Sequence, residues 1–186
     1  MIILKRIPAV CLAILLLLCC AAGAENENLP HYDFEDFILQ TENALSYRGN
    51  KTEGMPLFAF SASTAGISTS AVNAVWSSGQ AQLTPEEFTA ELRNSEAGIR
   101  SQYESRGYVL QSFRVQDAAE KEYWGRTVLQ CDAELQVRMN ETEIILFQRT
   151  IRITGSFGTY LFSLSAFSSD DLENASGGLV QAVQWK

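Results

Sequence analysis

Asp132 and Glu134 are the carboxylates of this 186-residue sequence whose spacing suits acid–base chemistry. Residues two apart on a β-strand point to one side and lie about 7 Å apart. That is near the separation of the two carboxyl groups of a glycosidase. Gln130, Gln136 and Arg138 extend the row. The simpler reading, preferred here, is a solvated sheet face on which Arg138 and Arg152 offset the acids. A nucleophile needs a base within hydrogen-bond reach. Beyond residue 24 the chain has one histidine, His31, and one cysteine, Cys131. His31 falls in a near-terminal segment expected to be mobile. Cys131 falls on the dry side of a strand, where a thiol acts as a small hydrophobe, so the two are not expected to act together. No G-x-S-x-G elbow and no S-x-x-K occurs. The Ser/Thr cluster from Ser61 to Ser70 has one glycine, Gly66, and no lysine, which fits a turn rather than a phosphate loop. Neither Asp170-Asp171-Leu172-Glu173 nor Glu141–Glu143 has EF-hand spacing. No catalytic constellation, metal site or cofactor site is therefore expected. What remains is Tyr123-Trp124-Gly125-Arg126, whose Tyr123, Trp124 and Arg126 are of the types enriched in binding hot spots. Trp76 and Trp185 are read as core seals.

Residues 1–24 read as a secretory signal peptide. Lys5 and Arg6 form its charged start, Ala9 to Ala22 its apolar run, and Ala22-Gly23-Ala24 a small-x-small cleavage site ahead of Glu25. The run of about 14 residues is short of the roughly 20 that span a bilayer. Lipid anchoring through Cys19 or Cys20 is the alternative, although Leu18 precedes Cys19 where a small residue is usual. Without the leader the chain keeps 12 basic and 22 acidic residues. That excess of acid argues against a nucleic-acid partner, which needs a basic patch to neutralise phosphates. Cys11, Cys19 and Cys20 leave with the leader, so no intrachain disulfide and no cysteine-based zinc site is expected. Asn50, Asn140 and Asn174 begin glycosylation sequons, relevant only in a eukaryotic secretory pathway.

Residues 25–34 form a polar lead-in and 35–186 a single domain. Thr84-Pro85-Glu86-Glu87 is a capping box. It starts one amphipathic helix of about 21 residues on which Phe88, Leu92, Ile99 and Tyr103 share a stripe, with Gly107 placed to end it. Tyr108 to Gln116 alternates, with Val109, Phe113 and Val115 on one face. Thr127 to Met139 has Leu129, Cys131, Leu135 and Val137 on its dry side. A polar turn is expected from Asp117 to Glu122, and tight turns at Asn140-Glu141 and Gly155 to Gly158. With Ile145 to Ile153 and Tyr160 to Phe167 these segments predict a four-strand antiparallel meander. Leu57 to Ser61 and Val72 to Trp76 add two strands, and Phe37 to Gln40 with Ala44 to Tyr47 a further pair. Ser168 caps a terminal helix that Gly177-Gly178 should shorten or break near Val183. The fold class is α+β: an antiparallel sheet of about six strands, one long helix and a C-terminal helix.

This order resembles the Mog1/PsbP-like fold. The resemblance is carried by Leu57-Phe58-Ala59-Phe60-Ser61, Val72-Asn73-Ala74-Val75-Trp76, the helix from Pro85, and Tyr160-Leu161-Phe162-Ser163-Leu164. It implies a sandwich-like, non-catalytic binding or accessory domain over residues 35–186. A cystatin-like or NTF2-like fold is the alternative. The expected protein is exported, extracytoplasmic and non-catalytic, with a protein or cell-envelope component as partner and no transmembrane segment in the mature chain. A carboxylate-based hydrolase and a carrier of a small apolar ligand, held between helix and sheet, are the competing functions.

Overall fold

Alternating apolar and polar residues build most of this molecule, because a strand with one dry face must bury it against another layer. The computed structural model describes residues 31–40, 44–47, 56–64 and 67–186. The leader, the Ala24–Glu25 cleavage site and the turn expected at 48–54 lie outside them.

The strands are β1 His31–Asp33, β2 Phe37–Gln40, β3 Ala44–Tyr47, β4 Pro56–Thr64, β5 Ile67–Ser77, β6 Tyr108–Val115, β7 Ala119–Tyr123, β8 Arg126–Met139, β9 Thr142–Thr154, β10 Thr159–Ala166 and β11 Val183–Trp185. The helices are α1 Pro85–Asn94, α2 Glu96–Glu104 and α3 Ser169–Ala182. The main sheet runs β3-β4-β5-β10-β9-β8-β6, with β7 also paired to β8, and every pairing is antiparallel. Its six central strands are those the alternation predicts, and the architecture is the expected α+β one. A second sheet runs β1-β2-β11.

Both faces of the main sheet carry a core. On one, Phe88, Leu92, Ile99 and Tyr103 of α1 and α2 pack on Leu110, Leu129, Cys131, Leu135, Val137 and Leu146. On the other, Leu172, Ala175 and Leu179 of α3, with Phe37 and Leu39 of β2, meet Ile151, Ile153, Tyr160, Phe162 and Leu164.

Several expectations are corrected. The long helix breaks at Ser95, which is buried and donates its hydroxyl to the Leu92 carbonyl at 2.6 Å, diverting the backbone ladder. The capping box at Thr84 is present in full, with Glu87 N–H donating to Thr84 Oγ1 at 3.2 Å and Thr84 N–H to Glu87 Oε2 at 2.8 Å. Val109 does not share a face with Phe113, because β6 shifts register between Leu110 and Ser112. Leu110 turns inward instead, and Val109 is exposed. The expected polar turn after Gln116 contains strand β7. Phe37–Gln40 and Ala44–Tyr47 do not pair with each other but join different sheets. His31 stands in β1, opposite Gln40. The terminal helix is continuous from Ser169 to Ala182, because Gly177 and Gly178 fall on its exposed side.

Candidate functional site

Asp132 and Glu134 do share a face of β8, but each is committed to a different arginine. Arg149, directly opposite Asp132 on β9, donates Nε and Nη2 to the two Asp132 carboxylate oxygens at 2.8 and 2.7 Å. The same guanidinium reaches Glu173 of α3 at 3.0 and 2.6 Å. Arg149 is buried, so a planar fork satisfied on both sides is what makes its charge tolerable there. The paired carboxylates hold it firmly protonated, and it in turn holds the Glu173 carboxyl below its ordinary value. Glu134 pairs with Arg114 of β6 at 3.3 Å. The acids are therefore offset by Arg149 and Arg114 rather than by Arg138 and Arg152. Arg152 lies on the opposite face and donates to the Ala81 carbonyl at 2.7 Å. Nor is the face simply solvated, since α3 covers part of it. Arg149 was missed by the sequence reading, although a signal existed: it interrupts the apolar series Ile145, Phe147, Ile151, Ile153.

Cys131 is buried, its thiol within 3.2 Å of the Gln116 carbonyl, and burial pushes its pKa up to about 11. It is a neutral core group. Among the described residues no group of three or more His, Cys, Asp or Glu is placed to hold a metal ion. The space between α1–α2 and β6–β8, where an apolar ligand was considered, is filled by the core named above.

The three aromatic-site candidates come together at one end of the molecule. Trp124 and Gly125 are the central residues of the β7–β8 hairpin, with φ of 56° and 67°. Two successive positive φ values match the right-handed twist of a two-residue hairpin. The turn aims the Trp124 ring inward, where its Nε1 donates to the Val180 carbonyl at 3.0 Å and its ring stacks on Trp185. Trp185 also stacks on Phe37, and the Arg126 guanidinium sits 5.4 Å over the Trp185 ring. Tyr123 donates its hydroxyl to Gln130 at 2.7 Å. Tyr123 and Trp124 are half-buried and Arg126 exposed. The cluster clasps the C-terminal strand and presents only its rim to solvent.

Asp36 is a second polar centre the sequence did not reveal. It is buried beside the Gly155–Gly158 turn. Its carboxylate accepts from Ser156 N–H at 2.8 Å, Phe157 N–H at 3.1 Å and the Tyr160 hydroxyl at 2.7 Å. Every contact is internal, so the group joins the small sheet to the β9–β10 hairpin.

No helix among the described residues is long and apolar enough to cross a membrane. No protein-family model matches the chain, and no curated protein matches it. Among solved structures it is similar to PA94, a Pseudomonas aeruginosa protein of unknown function. The identity is 14 %, 83 % of this chain and 93 % of that one are covered, and the TM-score is 0.44. It is also similar to LpqN of Mycobacterium tuberculosis, involved in cell envelope biogenesis. There the identity is 9 %, the coverage 87 % and 80 %, and the TM-score 0.31. At these TM-scores neither likeness bears on what this chain does.

Proposed function

We propose that this chain is an exported, non-catalytic binding or accessory domain that docks on a protein partner at the cell envelope. The export half rests on the leader pattern of residues 1–24. The observation that carries the binding half is the open end of the main sheet, on the face that α3 covers elsewhere. There Val109, Arg114, Arg138 and Ile145 are exposed side by side on β6, β8 and β9. Apolar and guanidinium groups interleaved on rigid strands can bury area on a partner without bond-making chemistry. The exposed Arg126, with the rims of Tyr123 and Trp124, is a second contact in the same reading. The Mog1/PsbP-like grouping belongs to this proposal, supported by the order of strands, helix, meander and closing helix.

The test is site-specific photo-crosslinking in the cell envelope from Ile145, with Arg106, on the far side of the helix layer, as control. A discrete adduct at Ile145, absent at Arg106 and lost with Arg138→Glu, is expected, together with a mature terminus at Glu25. Equal labelling at both positions would remove the docking surface, and a diacylglyceryl group on Cys19 or Cys20 would replace release with tethering. A hydrolytic activity lost in Glu134→Ala would restore the enzyme reading.

A further inference from the structure

On the sheet face that carries α1 and α2, but over β5, β10 and β9 rather than under the helices, the main sheet has a polar floor. Register aligns Asn73 of β5 with Ser163 of β10 and Thr150 of β9, and in the next row Ser165 of β10 with Gln148 of β9. All five are buried, none more than 2 % exposed. Four of them carry polar atoms without any hydrogen-bond partner: Asn73 Oδ1, Ser163 Oγ, Ser165 Oγ, and both Oε1 and Nε2 of Gln148. Buried polar groups are almost always paired, so five orphaned atoms on three neighbouring strands require an explanation. Elsewhere this protein satisfies its buried polar groups closely, as at Asp36 and Arg149.

We propose that this floor is a binding site for a small uncharged molecule bearing both hydroxyl and amide groups, of the size of one N-acetylated sugar ring. The orphaned atoms set the chemistry. Asn73 offers an acceptor, Gln148 a donor and an acceptor, and the two serines either role, so a matching ligand must itself both donate and accept. Electrostatics set the charge. Cys131, the next residue along the first row, is a neutral thiol. Arg152, one row on, turns its guanidinium toward the Ala81 carbonyl. A charged ligand would lose its hydration here without a counter-charge to replace it. Geometry sets the size. Two strand spacings by two residues along the strand make a floor of about 10 by 7 Å. This site is on the opposite sheet face from the open surface above and does not depend on it.

Binding is measured by isothermal titration and thermal shift on the chain beginning at Glu25, with N-acetylglucosamine, chitotriose, glycerol and sodium sulfate as probes. N-acetylglucosamine should bind and raise Tm, and sulfate should do neither. Chitotriose binding as well would identify a polymer end as the source, and its failure the free sugar. Ser163→Ala and Ser165→Ala are nearly isosteric, and Gln148→Leu removes both amide functions. Each variant, with circular dichroism showing the fold retained, should weaken binding at least tenfold. The proposal is overturned if N-acetylglucosamine fails to bind the wild-type chain. It is equally overturned if the three variants bind as well as wild type, or if sulfate binds as tightly as the sugar.

Discussion

Arg149 stands in an apolar series of β9 and stays charged because Asp132 and Glu173 meet its fork from two elements. Removing one partner of a buried pair strands the other charge, at about 3 kcal/mol or more where nothing replaces it. Glu173 remains in place, so Asp132→Ala is expected to cost about 2 kcal/mol in urea unfolding, toward the low end of that range. Glu173 is two-thirds exposed, and its pair is worth less, under about 1 kcal/mol. Its folded-state pKa is depressed by the Arg149 hydrogen bonds from an ordinary 4.5. That contribution is present above 4.5 and is lost as pH falls through the depressed value. Wild type and Glu173→Gln should therefore differ in stability at neutral pH and converge in acid. A constant gap across the titration would mean that the ion pair does not form. Cys131 makes the opposite case, a titratable group with its charge suppressed. Its pKa of about 11 leaves it protonated at neutral pH. A thiol reagent should modify it slowly in the native protein and rapidly once the protein is unfolded, with the adduct mapped by mass spectrometry.

Helix ends were the most legible elements, because a cap is satisfied by residues within one turn of it. Thr84 with Glu87, and Ser168 with Asp171, form as their spacing predicts. Thr84→Ala should cost about 1 kcal/mol in urea unfolding, and an unchanged midpoint would mean that α1 draws nothing from its cap. Helix interiors were less legible. Whether Ser95 back-bonds or faces solvent depends on burial, which the local sequence does not state. Gly177 and Gly178 lower helix propensity, yet α3 runs through them, because Leu172, Ala175 and Leu179 anchor it to the sheet. Tertiary packing outweighs a propensity cost of about 1 kcal/mol per glycine.

At the scale of the whole molecule the small sheet is attached by two clasps. One is Asp36, gripping the β9–β10 turn. The other is the stack of Trp185 between Phe37 and Trp124, reinforced by an ion pair from Lys186 to Asp33. Gly155 sits against the first clasp. A Cβ there would lie 2.5 to 2.7 Å from the Asp36 carboxyl group, which three hydrogen bonds hold in place. Gly155→Ala should therefore cost about 2 kcal/mol, within the usual range for overpacking. The near-UV circular dichroism of the Trp124–Trp185 stack should weaken with it if the clasps act together. An alanine accommodated at full stability would show that Asp36 can withdraw.

The local sequence was sufficient for the dry side of β8, the caps of α1 and α3, the tight turns and the order of the central strands. Each depends on residues within a few positions of one another, where periodicity and backbone sterics act directly. It was insufficient for which polar residues are buried. The polar side of β9, with Gln148 and Thr150, reads as wet in isolation, and pairing Leu146 with Leu135 turns it toward the helix-bearing face. Arg149, Asp36 and the Asn73–Gln148 floor acquire their meaning from strands far apart in sequence. Which face of a strand is covered is a property of the second layer, and the strand does not encode that layer.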